Sequence, residues 1–265
     1  MMKKHASFVM KILNILKESE NYKMFLEKVA EKIYSEDKIL DINTTYAGIF
    51  VKTSLKTGYC HIIPQEPDIN ISFSSLPFLG DYIGKTLKEA LNSALTIPHP
   101  LYRSFAIALI DSSEKMLNTY NGKIHSALLD YLTNKKVVLI GHFKFGKKLR
   151  EAGIHVDIVE LNPREGDIHW DNSHDVLSKA DFVFVTGFTL INNTIDEVLN
   201  RCPQAEVALA GPSVPLSDKL LQLNIKYAGS NILVDPDKAL HFFTKGAHSI
   251  ESLPDGISKP VYIKL

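Results

Sequence analysis

Residues 136–146 read KVVLIGHFKFG, and this stretch decides the fold that the sequence predicts. The apolar residues 137–140 stop at Gly141, and helix-forming residues follow at 147–152. This order is typical of the first strand, turn and helix of a Rossmann-like half-domain. Ligands of open α/β sheets bind outside the carboxyl ends of the strands. The stretch therefore predicts a fold class and also the edge of the sheet where a site should lie.

Strands and helices alternate downstream of this stretch. Apolar runs predict strands at residues 137–140, 156–161, 181–186, 206–210, 225–229 and 232–234, with helices between them. Asp235 followed by Pro236 predicts the start of a helix, and Thr194 with Glu197 predicts a capping box. We therefore predict an α/β fold in which residues 134–265 form a Rossmann-like domain with a parallel sheet.

The first 133 residues show the pattern of an α+β domain. Apolar side chains at helical spacing predict helix over much of residues 6–34, and residues 46–52 and 59–63 predict a β-hairpin. Thr86 and Glu89 predict a capping box that opens a helix, and two further helices are predicted near 101–110 and 123–132. The boundary near residues 133–135 gives two domains, 1–133 and 134–265.

Composition argues against several classes of protein. The 265 residues carry 30 Lys and Arg and 30 Asp and Glu, and no basic stripe typical of nucleic-acid binding is visible. Cys60 and Cys202 have no paired spacing, which argues against a disulfide framework and favours a reducing, cytoplasmic location. No apolar run reaches about 18 residues, so no membrane span is predicted. We expect no nucleic-acid or membrane partner, and a homodimer is the default oligomer.

Small and polar residues follow the predicted strands and are the candidate ligand-binding residues. Gly141 permits close approach to the backbone, and His142 beside it can ligate a metal or transfer a proton. Glu160 stands near the spacing at which an acidic residue holds a ribose, although a solvated acid at a strand end explains it equally well. The other candidates after the first, third and fourth strands are Phe143, Thr186, Gly187, Thr189, Asn192, Gly211, Pro212 and Ser213.

Two familiar classes of site are not expected. The glycines after the first strand, Gly141 and Gly146, do not form the GxGxxG pattern, so ordinary NAD binding is disfavoured. A nucleophile elbow with Ser-His-Asp order is missing from the sequence, which disfavours hydrolysis by a triad.

The first domain contributes Arg103, which with Asp111 brackets an apolar helix. A charge there is paired, faces a cleft or lies at a solvated helix end.

Four segments together resemble the DUF364 family: residues 141–143, TGFTLINNT at 186–194, GPSVPL at 211–216, and Asp235-Pro236. The Rossmann-like domain of that family is described as a heavy-metal chelation domain. In such proteins it follows a DUF4213 domain with an enolase-N-terminal-like fold. The first half resembles that domain through its helix start at residues 84–89 and the Arg103 helix, where Asp111 replaces an expected Asn. The resemblance implies two domains with a cleft between them.

The resemblance favours a protein that binds a transition-metal ion or metal chelate in this cleft. His142 and Glu160 would then be metal ligands or support them, and the scarcity of cysteine favours nitrogen and oxygen ligands or a prebuilt chelate. The alternative is an enzyme or sensor for a nucleoside-containing or phosphorylated small molecule, in which Glu160 holds a ribose and Arg103 supplies a cation. A fold kept only for oligomer contacts is disfavoured by the small polar residues at one sheet edge. No catalytic residue is predicted, and turnover is left open.

Overall fold

The computed structural model describes residues 23–63, 76–114 and 118–264. Much of the predicted N-terminal helix lies outside these ranges, and its described part contains helix α1, Phe25–Ala30, which buries Phe25, Leu26 and Val29. Among the described residues, no helix combines the length and apolar character needed to cross a lipid bilayer.

The first half is a three-stranded antiparallel sheet with one helix packed on it and a second helix packed on the first. The elements are β1 (Asp41–Thr44), β2 (Gly48–Lys52), β3 (Thr57–His61), α2 (Leu87–Leu95) and α3 (Pro100–Ser112). The strands lie in the order β1-β2-β3. The predicted hairpin is therefore confirmed as β2 and β3, whereas β1 was not predicted.

Local sequence signals explain how the helices of this half begin and pack. The predicted capping box is confirmed: Glu89 N donates to Thr86 Oγ1 at 3.2 Å, and Thr86 N donates to Glu89 Oε2 at 2.9 Å. Gly58 allows β3 to approach α3, because a Cβ at this position would lie 2.1 Å from the carbonyl oxygen of Ala108. The close approach positions the end of β3, where the backbone N of His61 contacts Ser213 of the second half.

The second half contains an eight-stranded sheet in the order β4-β11-β10-β9-β8-β5-β6-β7. Its strands are β4 (Tyr120–Asn121), β5 (Val137–Ile140), β6 (Val156–Glu160), β7 (Ile168–His169), β8 (Phe182–Thr186), β9 (Glu206–Ala210), β10 (Ile225–Leu233) and β11 (Ser258–Lys264). Strands β5 to β10 pair in parallel, and β11 pairs antiparallel with β10 and β4. The predicted α/β fold with a parallel sheet is confirmed.

Short helices connect and flank these strands. They are α4 (Ile124–Ala127), α5 (Leu129–Leu132), α6 (Gly146–Glu151), α7 (His174–Ser178), α8 (Phe188–Ile191), α9 (Ile195–Arg201), α10 (Pro236–Thr244) and 3-10 turns at Leu79–Tyr82, Trp170–Asn172, Asp218–Leu223 and Ile250–Ser252. Asp235 caps α10 as predicted, since its Oδ1 accepts from Lys238 N at 3.0 Å. The capping box predicted at Thr194 is wrong. Thr194 Oγ1 donates to Asn192 Oδ1 at 2.8 Å, whereas Glu197 pairs with Arg201.

The observed strands differ from the prediction in two places. The strands predicted at 225–229 and 232–234 are one strand, β10, because its pairing with β11 continues from Tyr227 to Leu233. Strand β4 lies before the predicted division at residue 134, yet it pairs with β11 of the second sheet. One large apolar cluster also runs through both halves, from Phe105 of α3 to Val183 of β8. The two halves are therefore packed against each other through buried side chains.

Candidate functional site

A cleft of about 710 Å³ lies at the carboxyl ends of the parallel strands. The strand order reverses direction at β5, which has β6 on one side and β8 on the other, and ligands of such sheets bind at this switch point. The cleft therefore lies where the fold predicts a ligand. Its wall includes the predicted residues Gly141, His142, Phe143, Glu160, Thr186, Gly187, Gly211, Pro212 and Ser213.

A smaller cavity of about 210 Å³ adjoins this cleft. It is lined by the predicted residues Thr189 and Asn192 and shares Gly141, Glu160 and Thr186 with the cleft. Apolar side chains from β5, β6 and α9 form much of the rest of its wall. Among the predicted residues that follow β8, Gly187 lines the cleft, whereas Thr189 and Asn192 line the smaller cavity.

Glycines allow the strand ends to crowd together at this edge. Gly141 has a φ of +106° and Gly211 a φ of +121°, a region that side chains with a Cβ rarely adopt. A Cβ on Gly141 would also lie 3.0 Å from Cγ2 of Thr186 at the end of β8. Gly187 similarly approaches the Ser213 backbone, because a Cβ on Gly187 would lie 3.0 Å from the Ser213 carbonyl carbon. The turn at Gly141 therefore needs glycine for its backbone conformation.

His142 lies between two carboxylates. Its Nδ1 is 3.1 Å from Glu160 Oε1, and its Nε2 is 2.6 Å from Asp167 Oδ2. The backbone N of His142 also donates to Glu160 Oε1 at 3.1 Å. The Nε2 hydrogen bond to Asp167 and the approach of Nδ1 to Glu160 hold the ring between two carboxylates. A metal bound to either ring nitrogen would have to displace one of these carboxylates.

Asp167 was not predicted as a site residue, because it lies in a loop without a pattern of its own. Its side chain is 7% exposed. Burial alone would raise the pKa of Asp167, but hydrogen bonds from the Arg164 backbone and the His142 ring hold that pKa below its usual value. The result is a stable carboxylate that fixes the loop after β6 against His142.

His61 is a cleft residue that sequence reasoning missed. It ends β3, its backbone N donates to Ser213 Oγ at 3.3 Å, and its ring lies 6.0 Å from the ring of Phe188. Burial lowers the pKa of His61 to about 4, so the ring is uncharged at neutral pH. Its ring nitrogens make no hydrogen bond with any described residue. The strand predicted at residues 59–63 runs past His61, so the sequence did not mark this residue as the end of a strand.

His125 is a second missed histidine in the cleft wall. Its ring stacks on Phe145 at 4.3 Å, and Phe145 stacks on Phe143 at 4.7 Å. Burial, together with the positive charges of Lys123 and Lys148, lowers the pKa of His125 to about 4. We call these three rings the aromatic stack. The sequence gives no periodic signal for it, because His125 lies in α4 and Phe145 lies in the turn before α6, 20 residues later.

Arg103 and Asp111 hold the two halves together. Arg103 lies outside the lining of both cavities, and its Nε donates to the carbonyl oxygen of Ile191 at the end of α8. Asp111 pairs with Lys56 Nζ at 3.1 Å and accepts from Leu216 N at 3.4 Å. Both side chains thus connect the helix α3 to neighbouring segments. Arg103 therefore contacts the residue that precedes the predicted Asn192, and it does not line either cavity.

The cysteines do not offer thiolates to a metal. Cys60 and Cys202 are both buried, and burial raises their pKa values to about 12 and about 11. Within the residues that the structure describes, no group of three or more His, Cys, Asp or Glu side chains is arranged to hold a metal ion. The donors available at the cleft are therefore nitrogen and oxygen atoms.

This architecture defines an α/β protein with a cleft at the carboxyl ends of a parallel sheet. Residues 125–259 match the family model of DUF364, which carries the description "Putative heavy-metal chelation". The chain therefore belongs to the DUF364 family. The match does not extend to the first half, so the DUF4213-like, enolase-N-terminal-like domain stays a prediction.

Known relatives agree with this assignment. An uncharacterized protein of Methanocaldococcus jannaschii is 28% identical over 180 residues, which cover 63% of this chain and 68% of that protein. A DUF364 crystal structure from Desulfitobacterium hafniense, of unknown function, aligns with a TM-score of 0.75 at 17% identity over 91% of this chain and 97% of that one. Another, from Pyrococcus horikoshii, aligns with a TM-score of 0.73 at 16% identity over 91% and 100%. At these identities the structures establish the shared fold.

Proposed function

We propose that this protein binds a metal chelate, a transition-metal ion already held by a small organic molecule, in the cleft at the carboxyl ends of the strands. The observation that carries the proposal is the cleft itself, whose volume of about 710 Å³ includes an uncharged histidine, His61, in its wall. This volume lies within the range of about 300–1,000 Å³ typical of small-molecule sites. It is far larger than a bare ion requires.

His61 supplies the donor chemistry that a chelated metal can use. A neutral imidazole is the form that ligates a metal, and the lowered pKa of His61 keeps it in this form. The ring nitrogens of His61 have no hydrogen-bond partner among the described residues. A metal can therefore bind the ring without breaking a hydrogen bond to one of these residues. Imidazole suits transition metals such as Ni, Co and Zn. The chelator would supply the remaining ligands.

His142 and Glu160 act in this proposal as supports for the site. Both nitrogens of His142 face carboxylates, and Glu160 also accepts from the Leu161 backbone at 3.1 Å. These contacts connect the turn after β5 to the loop after β6. His142→Ala should therefore weaken chelate binding by loosening this edge of the cleft. Such supporting contacts commonly change metal affinity by about 10–100-fold.

The test is a titration of chelator-stripped protein with Ni²⁺ and Co²⁺ chlorides, and with the same ions as citrate complexes. Calorimetry and thermal unfolding serve as readouts. We expect the complexes to stabilise the fold more than the bare ions do. A complex present at one hundred times its dissociation constant should raise the free energy of unfolding by about 2.7 kcal/mol. His61→Ala should abolish the effect. The matched control is His155→Ala, because His155 precedes β6 at the opposite sheet edge and its side chain is 73% exposed.

Two outcomes would overturn the proposal. One is the absence of stabilisation by every ion and complex. The other is equal binding by His61→Ala and the unchanged protein. In either case the cleft would not be a chelate site that uses His61.

A nucleoside-containing or phosphorylated small molecule is the second candidate. The aromatic stack favours it, because planar bases stack on such rings, and Glu160 ends the strand next to β5. Stabilisation by nucleotides without metal, weakened by Glu160→Gln, would favour this candidate. Arg103 is not needed for it, since Arg103 donates to a backbone carbonyl outside the cleft lining.

A further inference from the structure

We infer that one wall of the cleft is a binding site for an anionic group, a carboxylate or a phosphate, formed by Lys123, His125 and Lys148. This inference deepens the proposed function, because it assigns an acidic arm to the molecule that occupies the cleft. It also separates the cleft into a part suited to a metal and a part suited to an anion.

The two lysines provide uncompensated positive charge at this wall. Lys123 directly precedes α4, Lys148 lies in α6, and both line the cleft. Neither lysine forms an ion pair with a carboxylate in the described part of the chain. By contrast, Lys144 in the same wall lies 3.8 Å from Glu251. Lys123 and Lys148 are therefore the lysines whose charge is available to a ligand.

His125 provides a directional donor in the same wall of the cleft. Its side chain belongs to a residue that is only 6% exposed, and the stack on Phe145 at an interplanar angle of 10° fixes the ring plane. Its nitrogens make no hydrogen bond to any described residue, so a ligand in the cleft can reach them without displacing a protein partner. A neutral imidazole carries one N–H, which an anionic oxygen can accept. The ligand is thus the natural partner for this ring.

Electrostatics decide between an anion and a cation at this wall. The positive charges of Lys123 and Lys148 already disfavour the protonated form of His125, and the same charges would repel a metal ion. An anion is attracted by both lysines and is held by charge-assisted hydrogen bonds. By contrast, the pKa of His61 is lowered by burial, without a contribution from neighbouring positive charges. The metal and the anionic arm are therefore expected at different histidines.

The test uses metal-free protein, so that it stands or fails separately from chelate binding. The probes are citrate and inorganic phosphate, titrated at constant ionic strength with chloride as the reference anion. Binding is measured by calorimetry and by the NMR signals of the His125 ring, identified by their loss in His125→Gln. We expect the His125 signals to shift with at least one probe. A response to citrate alone assigns a carboxylate ligand, and a response to phosphate alone assigns a phosphorylated ligand.

Lysine variants make the test specific. The double variant Lys123→Gln and Lys148→Gln should weaken binding by about tenfold or more, as expected for lost charge-assisted hydrogen bonds. Lys147→Gln is the matched control, since Lys147 lies next to Lys148 but pairs with Glu151 and is 84% exposed. The inference is overturned if neither anion shifts the His125 signals. It is also overturned if Lys147→Gln weakens binding as much as the double variant does.

Discussion

Replacing Gly58 by alanine tests the packing that positions β3 and His61. A Cβ at Gly58 would lie 2.1 Å from the Ala108 carbonyl oxygen and 2.6 Å from the Ser112 backbone nitrogen. Both are backbone atoms of a helix and cannot rotate away. Normal contacts lie near 3.5 Å, so β3 and α3 would have to separate by about 1.4 Å at the Ala108 contact. Overpacking typically costs about 1–3 kcal/mol, and the backbone contacts here place this variant at about 3 kcal/mol.

The loss is large compared with the stability of a typical protein. Unfolding free energies are about 5–15 kcal/mol, so the variant should stay folded but unfold at clearly lower urea concentration. The thermal midpoint should fall by about 6–12 °C. Urea and thermal unfolding, followed by circular dichroism, measure both quantities.

Gly146→Ala is the matched control for this variant. Its new Cβ would meet only the flexible end of Leu139, at 3.0 Å, and alanine favours the helix α6 by up to about 1 kcal/mol. Its stability should therefore be unchanged or slightly higher. If Gly58→Ala unfolded within about 0.5 kcal/mol of the unchanged protein, the close packing of β3 on α3 would be refuted.

Three further predictions concern helix capping, pH and thiol chemistry. Thr86→Ala removes the cap of α2 and should lower the unfolding free energy by about 1 kcal/mol in urea, and no change would contradict the capping box. Burial alone would raise the pKa of Glu206, but hydrogen bonds from Tyr131 and Lys135 lower this pKa from 4.5. The resulting stability is present above that value and is lost as the pH falls through the lowered pKa, so the thermal midpoints of Glu206→Gln and the unchanged protein should differ at neutral pH and converge once the pH is below the lowered pKa. The thiols of Cys60 and Cys202 should resist iodoacetamide near pH 8 in the folded protein and react after unfolding, as mass spectrometry can show, because burial raises their pKa values to about 12 and 11. Rapid labelling of the folded protein would contradict that burial.

Strands with a continuous apolar run could be predicted from the sequence. β5, β8 and β9 are fully or mainly buried, and their composition alone indicates them. Strands that depend on a distant partner could not be. β1 has the sequence DINT with partly exposed side chains, and β11 alternates buried and exposed residues after a turn-rich segment. Their strand conformation comes from pairing with β2 and β10, which local sequence does not encode.

The candidate site shows the same division between local and distant information. Gly141, Glu160 and Thr186 were predictable, because parallel strands place their carboxyl ends at one sheet edge. His61 and His125 were not, since they reach the cleft from segments that precede the parallel sheet in the chain. The ligand roles proposed for His142 and Arg103 depended on which partners the folded chain provides. His142 lies between Glu160 and Asp167, and Arg103 donates to a backbone carbonyl.

The strand order has a consequence for the synthesis of this chain. β4 lies at Tyr120–Asn121, whereas its neighbour β11 lies at Ser258–Lys264. A ribosome adds about 5–20 residues per second, so β4 leaves the ribosome several seconds before its neighbour exists. In the last part of this interval, after β10 is made and before β11 is made, the outer edge of β10 is also unpaired and can template aggregation with another nascent chain. Synthesis of β11 therefore joins β10 to β4, and a truncation within β11 would leave both of these strands without their shared partner.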